Sequence, residues 1–199
     1  MGQEVVLFHS ALGLRPAVRK FADRLRGAGH NVHTPDSFDG EAFEDLEDGI
    51  RKRDALGIPE LIGRAQAAVA DLPSQIVFAG FSMGTGAAEF LAATRPGARA
   101  AILMHGALAP AEIGIEAWPQ VPVQVHYARN DELVDVDQVR ALEAAALAAD
   151  VSVEVYVYDR VSHLFEDSDS ADHDPGAAQL MMERVLHFLG RLDDERKIG

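Results

Sequence analysis

Ser82 lies in Gly80-Phe81-Ser82-Met83-Gly84, after the apolar run Gln75-Ile76-Val77-Phe78-Ala79 and before the small-residue stretch Thr85-Gly86-Ala87-Ala88. A serine with glycine two residues to either side, between a strand-like run and a helix-like one, has the pattern of a nucleophile elbow. The strained turn holds the hydroxyl clear of the sheet, and the glycines remove side chains that would block it. A serine hydroxyl attacks a carbonyl only when a base takes its proton, and the base works best when an acid fixes its tautomer. In an elbow enzyme the acid and then the histidine follow the serine along the chain. Asp131, in Asn130-Asp131-Glu132-Leu133-Val134, follows the run Val121–Tyr127, and His163, in Ser162-His163-Leu164-Phe165, follows Val151–Tyr158. The expected roles are therefore Ser82 as nucleophile, His163 as base and Asp131 as acid. Asp135 and Asp137 compete with Asp131, and His173 competes with His163. Ser82 could instead only cap the helix it begins. An oxyanion hole needs two backbone N–H donors; Met83 is one, and the loop after the first strand offers Ala11, with Leu12 next.

These residues need a scaffold that brings three distant loops to one place. Glu4–His9 reads as a buried strand apolar on both faces, Pro16–Ala28 as an amphipathic helix ended by Gly29, and His30–Pro35 as a second strand. That βαβ unit implies parallel strands with a right-handed crossover. Residues 36–57 read as loop and short helix near the site entrance, and Pro59–Leu72 as a helix. Strands follow at 75–79, 100–105, 121–127 and 151–158, with helices at 136–149 and 177–192; residues 106–119 form an irregular excursion carrying Trp118. The expected fold is α/β, an open and mostly parallel sheet of about six strands with helices on both faces, its ligands bound beyond the carboxyl ends of the strands. One domain spanning 1–199 is expected, since no linker, repeat or low-complexity segment divides the chain.

Composition removes several classes of function. There is no cysteine, so disulfides, thiolate metal sites and a cysteine nucleophile are excluded. A formal net charge of −14 opposes nucleic-acid binding. The first residues lack the basic start and long apolar run of a secretion signal, and no run reaches membrane-spanning length, so a cytoplasmic protein is expected. The acidic stretch 167–174 lacks the glycine and terminal glutamate of a calcium loop and reads as solvated. His9 and His105, at strand ends near the elbow, read first as hydrogen-bonded core residues and second as pocket lining. Leu12, Phe81, Trp118 and Phe165 are the expected substrate walls, with core packing an equal account of the three aromatics.

On these segments the chain resembles the dienelactone hydrolase family of α/β-hydrolases: Val5–His9 through Gly13-Leu14, the elbow, Asn130–Val134 and Ser162–Phe165. The resemblance implies a Ser82, Asp131, His163 triad with Ala11 and Met83 as oxyanion donors. Such a mechanism needs no cofactor or metal, the short excursions leave little chain for a lid, and the expectation is a small ester, thioester or lactone as substrate of a monomer or homodimer. Two departures from the family pattern stand out. Ser82 and Ser10 occupy places where lactone-opening members carry cysteine and glutamate. Glu166-Asp167 stands near the place of the arginine that holds a substrate carboxylate, so an anionic lactone is disfavoured by repulsion. The alternatives to ester hydrolysis are a non-catalytic binding or regulatory protein on the same fold, or an acyltransferase using the same triad.

Overall fold

A computed structural model describes residues 2–198, with side chains through residue 192. The elements are β1 (Glu4–Phe8), α1 (Pro16–Gly27), β2 (Asn31–His33), α2 (Leu46–Leu56), α3 (Ile58–Ala68), β3 (Ile76–Phe81), α4 (Met83–Thr94), β4 (Ala100–Met104), a 3₁₀ turn (Pro110–Ile113), β5 (Val123–Ala128), α5 (Val136–Ala148), β6 (Val153–Tyr158) and α6 (Pro175–Ile198). The six strands are all parallel, in the order β2-β1-β3-β4-β5-β6.

Alternation along each strand divides the apolar residues between two cores. Val5 and Leu7 face the layer of α1 and α6, where Phe21, Leu25, Met181, Val185 and Phe188 pack on them. Val6 and Phe8 face the opposite layer, with Ala65 and Val69 from the α3 side, Leu91 from α4 and Leu142 from α5. This two-sided cover explains why β1, β3 and β4 are nearly continuous apolar runs. The edges are a three-residue β2 and a half-buried β6.

The segment expected to be loop and short helix contains the eleven-residue α2. Asp45 caps it, its Oδ1 accepting the Glu47 amide at 2.7 Å. Gly57 (φ 80°) turns the chain directly into α3, which starts one residue before the predicted position and ends at Ala68 instead of Leu72. The last helix begins at Pro175 because Asp174 Oδ1 accepts the Ala177 amide at 2.8 Å, and it runs past the predicted end at Leu192. The acidic stretch is partly a clamp on α1: Asp169 accepts the Ala17 amide and the Lys20 ammonium, both at 3.0 Å, and Asp167 lies 3.5 Å from Arg15.

Candidate active site

Three loops at the carboxyl ends of β3, β5 and β6 meet above the middle of the sheet. The turn after β3 puts Ser82 at φ 48°, ψ −112°, a conformation L-residues rarely adopt. Close packing around the turn requires its two glycines. A Cβ on Gly80 would overlap the Gly84 carbonyl, and one on Gly84 would come within 2.6 Å of Phe8 O and 2.7 Å of His9 O. The Ser82 amide donates to Met104 O on β4 at 2.7 Å, and its carbonyl accepts the Thr85 amide and hydroxyl. Ser82 begins α4 without a side-chain cap bond, so its hydroxyl is free for another partner.

That partner is His163. Its Nε2 lies 2.8 Å from Ser82 Oγ, and its Nδ1 lies 2.6 Å from Asp131 Oδ2. With the ring proton on Nδ1, His163 donates to Asp131 and accepts from the Ser82 hydroxyl. Asp131 is also fixed by the Leu133 amide, which donates to Oδ1 at 3.0 Å. Burial alone would raise the Asp131 carboxyl; the hydrogen bond and charge of His163 outweigh it and hold the group below its ordinary value. The competing residues are used elsewhere. Asp135 caps α5, Asp137 pairs with Arg140, and His173 is bound to the Phe165 carbonyl at 2.9 Å.

Met83 stands in the first turn of α4, where its amide has no intrahelical acceptor. In the loop after β1 the Leu12 amide donates to Ser10 Oγ at 3.2 Å. His9 braces this loop. Its Nε2 accepts the Ser37 amide at 2.9 Å, which leaves Nδ1 to donate to Ser10 O at 2.7 Å. Burial dominates over that bond and over Asp36, so the His9 pKa is lowered and the ring is neutral.

A cavity of about 520 Å³ opens over Ser82, between the start of α4, residues 105–108, 112–114 and 133–135, and the ends of α2 and α3. None of the four expected substrate walls lines it. Leu12, Phe81 and Phe165 belong to the core against α1 and α6, Trp118 to the opposite core, and all four are at most 6% exposed. The Trp118 indole N–H is bound to Val121 O at 2.8 Å. An aromatic residue in the sequence does not reveal whether it faces a core or a cavity, and here the walls are mostly aliphatic and small. Sequence reasoning missed Arg53, Ile58, Leu61 and Ile62; Leu61 and Ile62 carried a helical period, but nothing indicated which part of that face is open.

Glu166 and Asp167 do not face this cavity, which corrects the expected repulsion of an anionic substrate by them. Glu166 Oε2 lies 2.5 Å from His105 Nε2, and Asp167 pairs with Arg15; both enclose a second void of about 10 Å³ behind the site, lined also by Ser10 and Phe81. His105, in the left-handed region at φ 69°, presents its ring to His163 edge-on at 5.4 Å. Glu89, fully buried on α4, accepts the Leu108 amide through Oε2 at 2.9 Å. Its Oε1 has no partner among the described residues, and burial, opposed by that one bond, pushes its carboxyl up to about 8. Among the described residues no group of three or more His, Asp or Glu is placed to hold a metal ion, and no helix is long and apolar enough to cross a membrane.

The dienelactone hydrolase family model matches residues 2–192. The chain belongs to the dienelactone hydrolase family. Membership places it among hydrolases. Similar solved structures share its fold. A dienelactone hydrolase-like promiscuous phosphotriesterase, P91, from metagenomic libraries is 23% identical with a TM-score of 0.77, covering 96% of this chain and 86% of that one. The dienelactone hydrolase of Anabaena variabilis is 22% identical, TM-score 0.62, covering 96% and 87%. The propionate-bound esterase Est2 of Thermogutta terrifontis is 16% identical, TM-score 0.68, covering 96% and 84%. No curated protein matches this chain.

Proposed function

We propose that this family member hydrolyses a carboxylic ester, thioester or lactone through an acyl-enzyme on Ser82, as one domain that needs no cofactor. The observation that carries the reading is the hydrogen-bonded chain from Ser82 Oγ through His163 to Asp131, with Ser82 on the floor of the cavity. Ser82 attacks the carbonyl carbon as its proton passes to His163 Nε2, and Asp131 stabilises the imidazolium that forms. Charge develops on the carbonyl oxygen, and the Met83 and Ala11 amides receive it. Ala11 is preferred to Leu12 because the Leu12 amide is already bound to Ser10 Oγ. His163 then protonates the departing alkoxide or thiolate. Water, deprotonated by the same ring, releases the acid and restores Ser82.

Replacing Ser82 with alanine should lower turnover of p-nitrophenyl acetate by about 10⁴-fold or more while circular dichroism and Tm stay close to wild type. A fluorophosphonate probe should label the wild type at Ser82 and leave the variant unlabelled. Turnover that survives in the purified variant would remove Ser82 from the mechanism.

A further inference from the structure

Resting on the Ser82 acyl-enzyme reading, we infer that the 520 Å³ cavity is an acyl site, and that it selects neutral aliphatic esters of medium chain length. The sidedness comes from His163. The leaving oxygen must take its proton from His163 Nε2, so the alcohol portion lies toward the loop after β6. No residue of that loop lines the cavity. The substituent on the other side of the carbonyl is the acyl group, and the cavity lies on that side.

The lining sets the chemistry. Phe8, Leu61, Ile62, Phe90, Leu108 and Val134 form its apolar walls. Among the described residues its one lining Arg or Lys is Arg53, which lies 2.7 Å from Asp54, while Glu112 and Asp135 add two acidic groups to the wall. An acyl chain that ends in a carboxylate therefore meets more negative than free positive charge, whereas a methyl end meets aliphatic surface. At about 30 Å³ per water-sized group, the volume holds about 17 of them, enough for an ester group and a medium chain with room left at the mouth. Ile58 and Leu133 also line the cavity, yet they are 62% and 56% exposed. Two of the four large exposed hydrophobic side chains among the described residues thus stand at this mouth, where the bound chain covers them.

The test measures kcat/KM for p-nitrophenyl acetate, butyrate and octanoate and for the mono-p-nitrophenyl ester of suberic acid, with fluorophosphonate labelling in parallel. Octanoate should exceed acetate at least ~10-fold, which burial of only two of its six additional methylenes gives at about fourfold each. The suberate monoester should fall at least ~10-fold below octanoate. Gly86 lines the cavity, and a Cβ there would only touch Leu108 Cδ1 at 3.5 Å, so Gly86→Leu should fill the space and bring the octanoate-to-acetate ratio below one. Leu133→Ser, at an exposed position that does not threaten folding, should lower the same ratio about threefold. Labelled enzyme that prefers acetate, or that turns over the suberate monoester as fast as octanoate, overturns the acyl-site inference and leaves the Ser82 reading standing. Absence of both label and turnover overturns both.

Discussion

Glu89 offers a test that needs no substrate. Its carboxyl is fully buried, has a single hydrogen bond to the Leu108 amide, and titrates at about 8 instead of the ordinary 4.5. A carboxyl with a raised folded pKa takes up a proton on folding. Stability is therefore greatest below the unfolded pKa, falls as pH rises from about 4.5 towards about 8, and levels off above that. At 1.36 kcal/mol per unit, the loss between about pH 5.5 and about pH 8.5 is about 3 kcal/mol. Glu89→Gln keeps an oxygen for the Leu108 N–H and removes the titration. Urea unfolding of both proteins at the two pH values isolates the effect, because every other titrating group cancels in the comparison. The variant should gain about 3 kcal/mol relative to wild type on moving to the higher pH. A relative change under about 1 kcal/mol would mean that Glu89 ionises normally in the fold despite its burial.

Other consequences can be checked directly. Asp131→Asn should lower kcat on p-nitrophenyl acetate by about 10⁴-fold with the fold retained, because the amide no longer holds the His163 Nδ1 proton; a wild-type rate would show that another group orients the ring. Gly84→Ala should lower stability in urea by about 2 kcal/mol or more and abolish fluorophosphonate labelling, since the new methyl presses on the Phe8 and His9 carbonyls. Arg15→Met should destabilise by about 3–5 kcal/mol by leaving the Asp167 carboxylate buried and unpaired. The double variant Arg15→Met, Asp167→Leu should recover most of that loss, and strictly additive losses would show that the pair is not coupled.

The parallel strands were legible because a strand covered on both faces is apolar at nearly every position, and the elbow because its glycines are required by contacts a Cβ would break. The hydrogen-bonded Ser82, His163 and Asp131 were legible as an order of post-strand loops, without any knowledge of distance. α2 was harder to read. Its one buried residue is Gly49, where a Cβ would overlap the Ala11 carbonyl, so the glycine that suggested a break is the point of contact. The cavity walls were hidden for a related reason. Phe81, Trp118 and Phe165 have the size to wall a ligand, and the fold uses them as core; the residues that line the open space, such as Gly86, Ala107 and Val134, look ordinary in the sequence. The inward turn of Glu166 and Asp167 depended on His105 and Arg15, partners more than sixty residues away along the chain.

At Gly84 the elbow rests directly on the Phe8 and His9 carbonyls, main chain against main chain. No side chain sets that separation, so no side-chain substitution nearby can tune it gradually. Variation is free instead at the far wall, where α2, α3 and residues 106–114 line the cavity. A lineage diverging from this protein would therefore reshape the cavity through that wall in small steps, while the seat of the elbow on β1 stayed fixed.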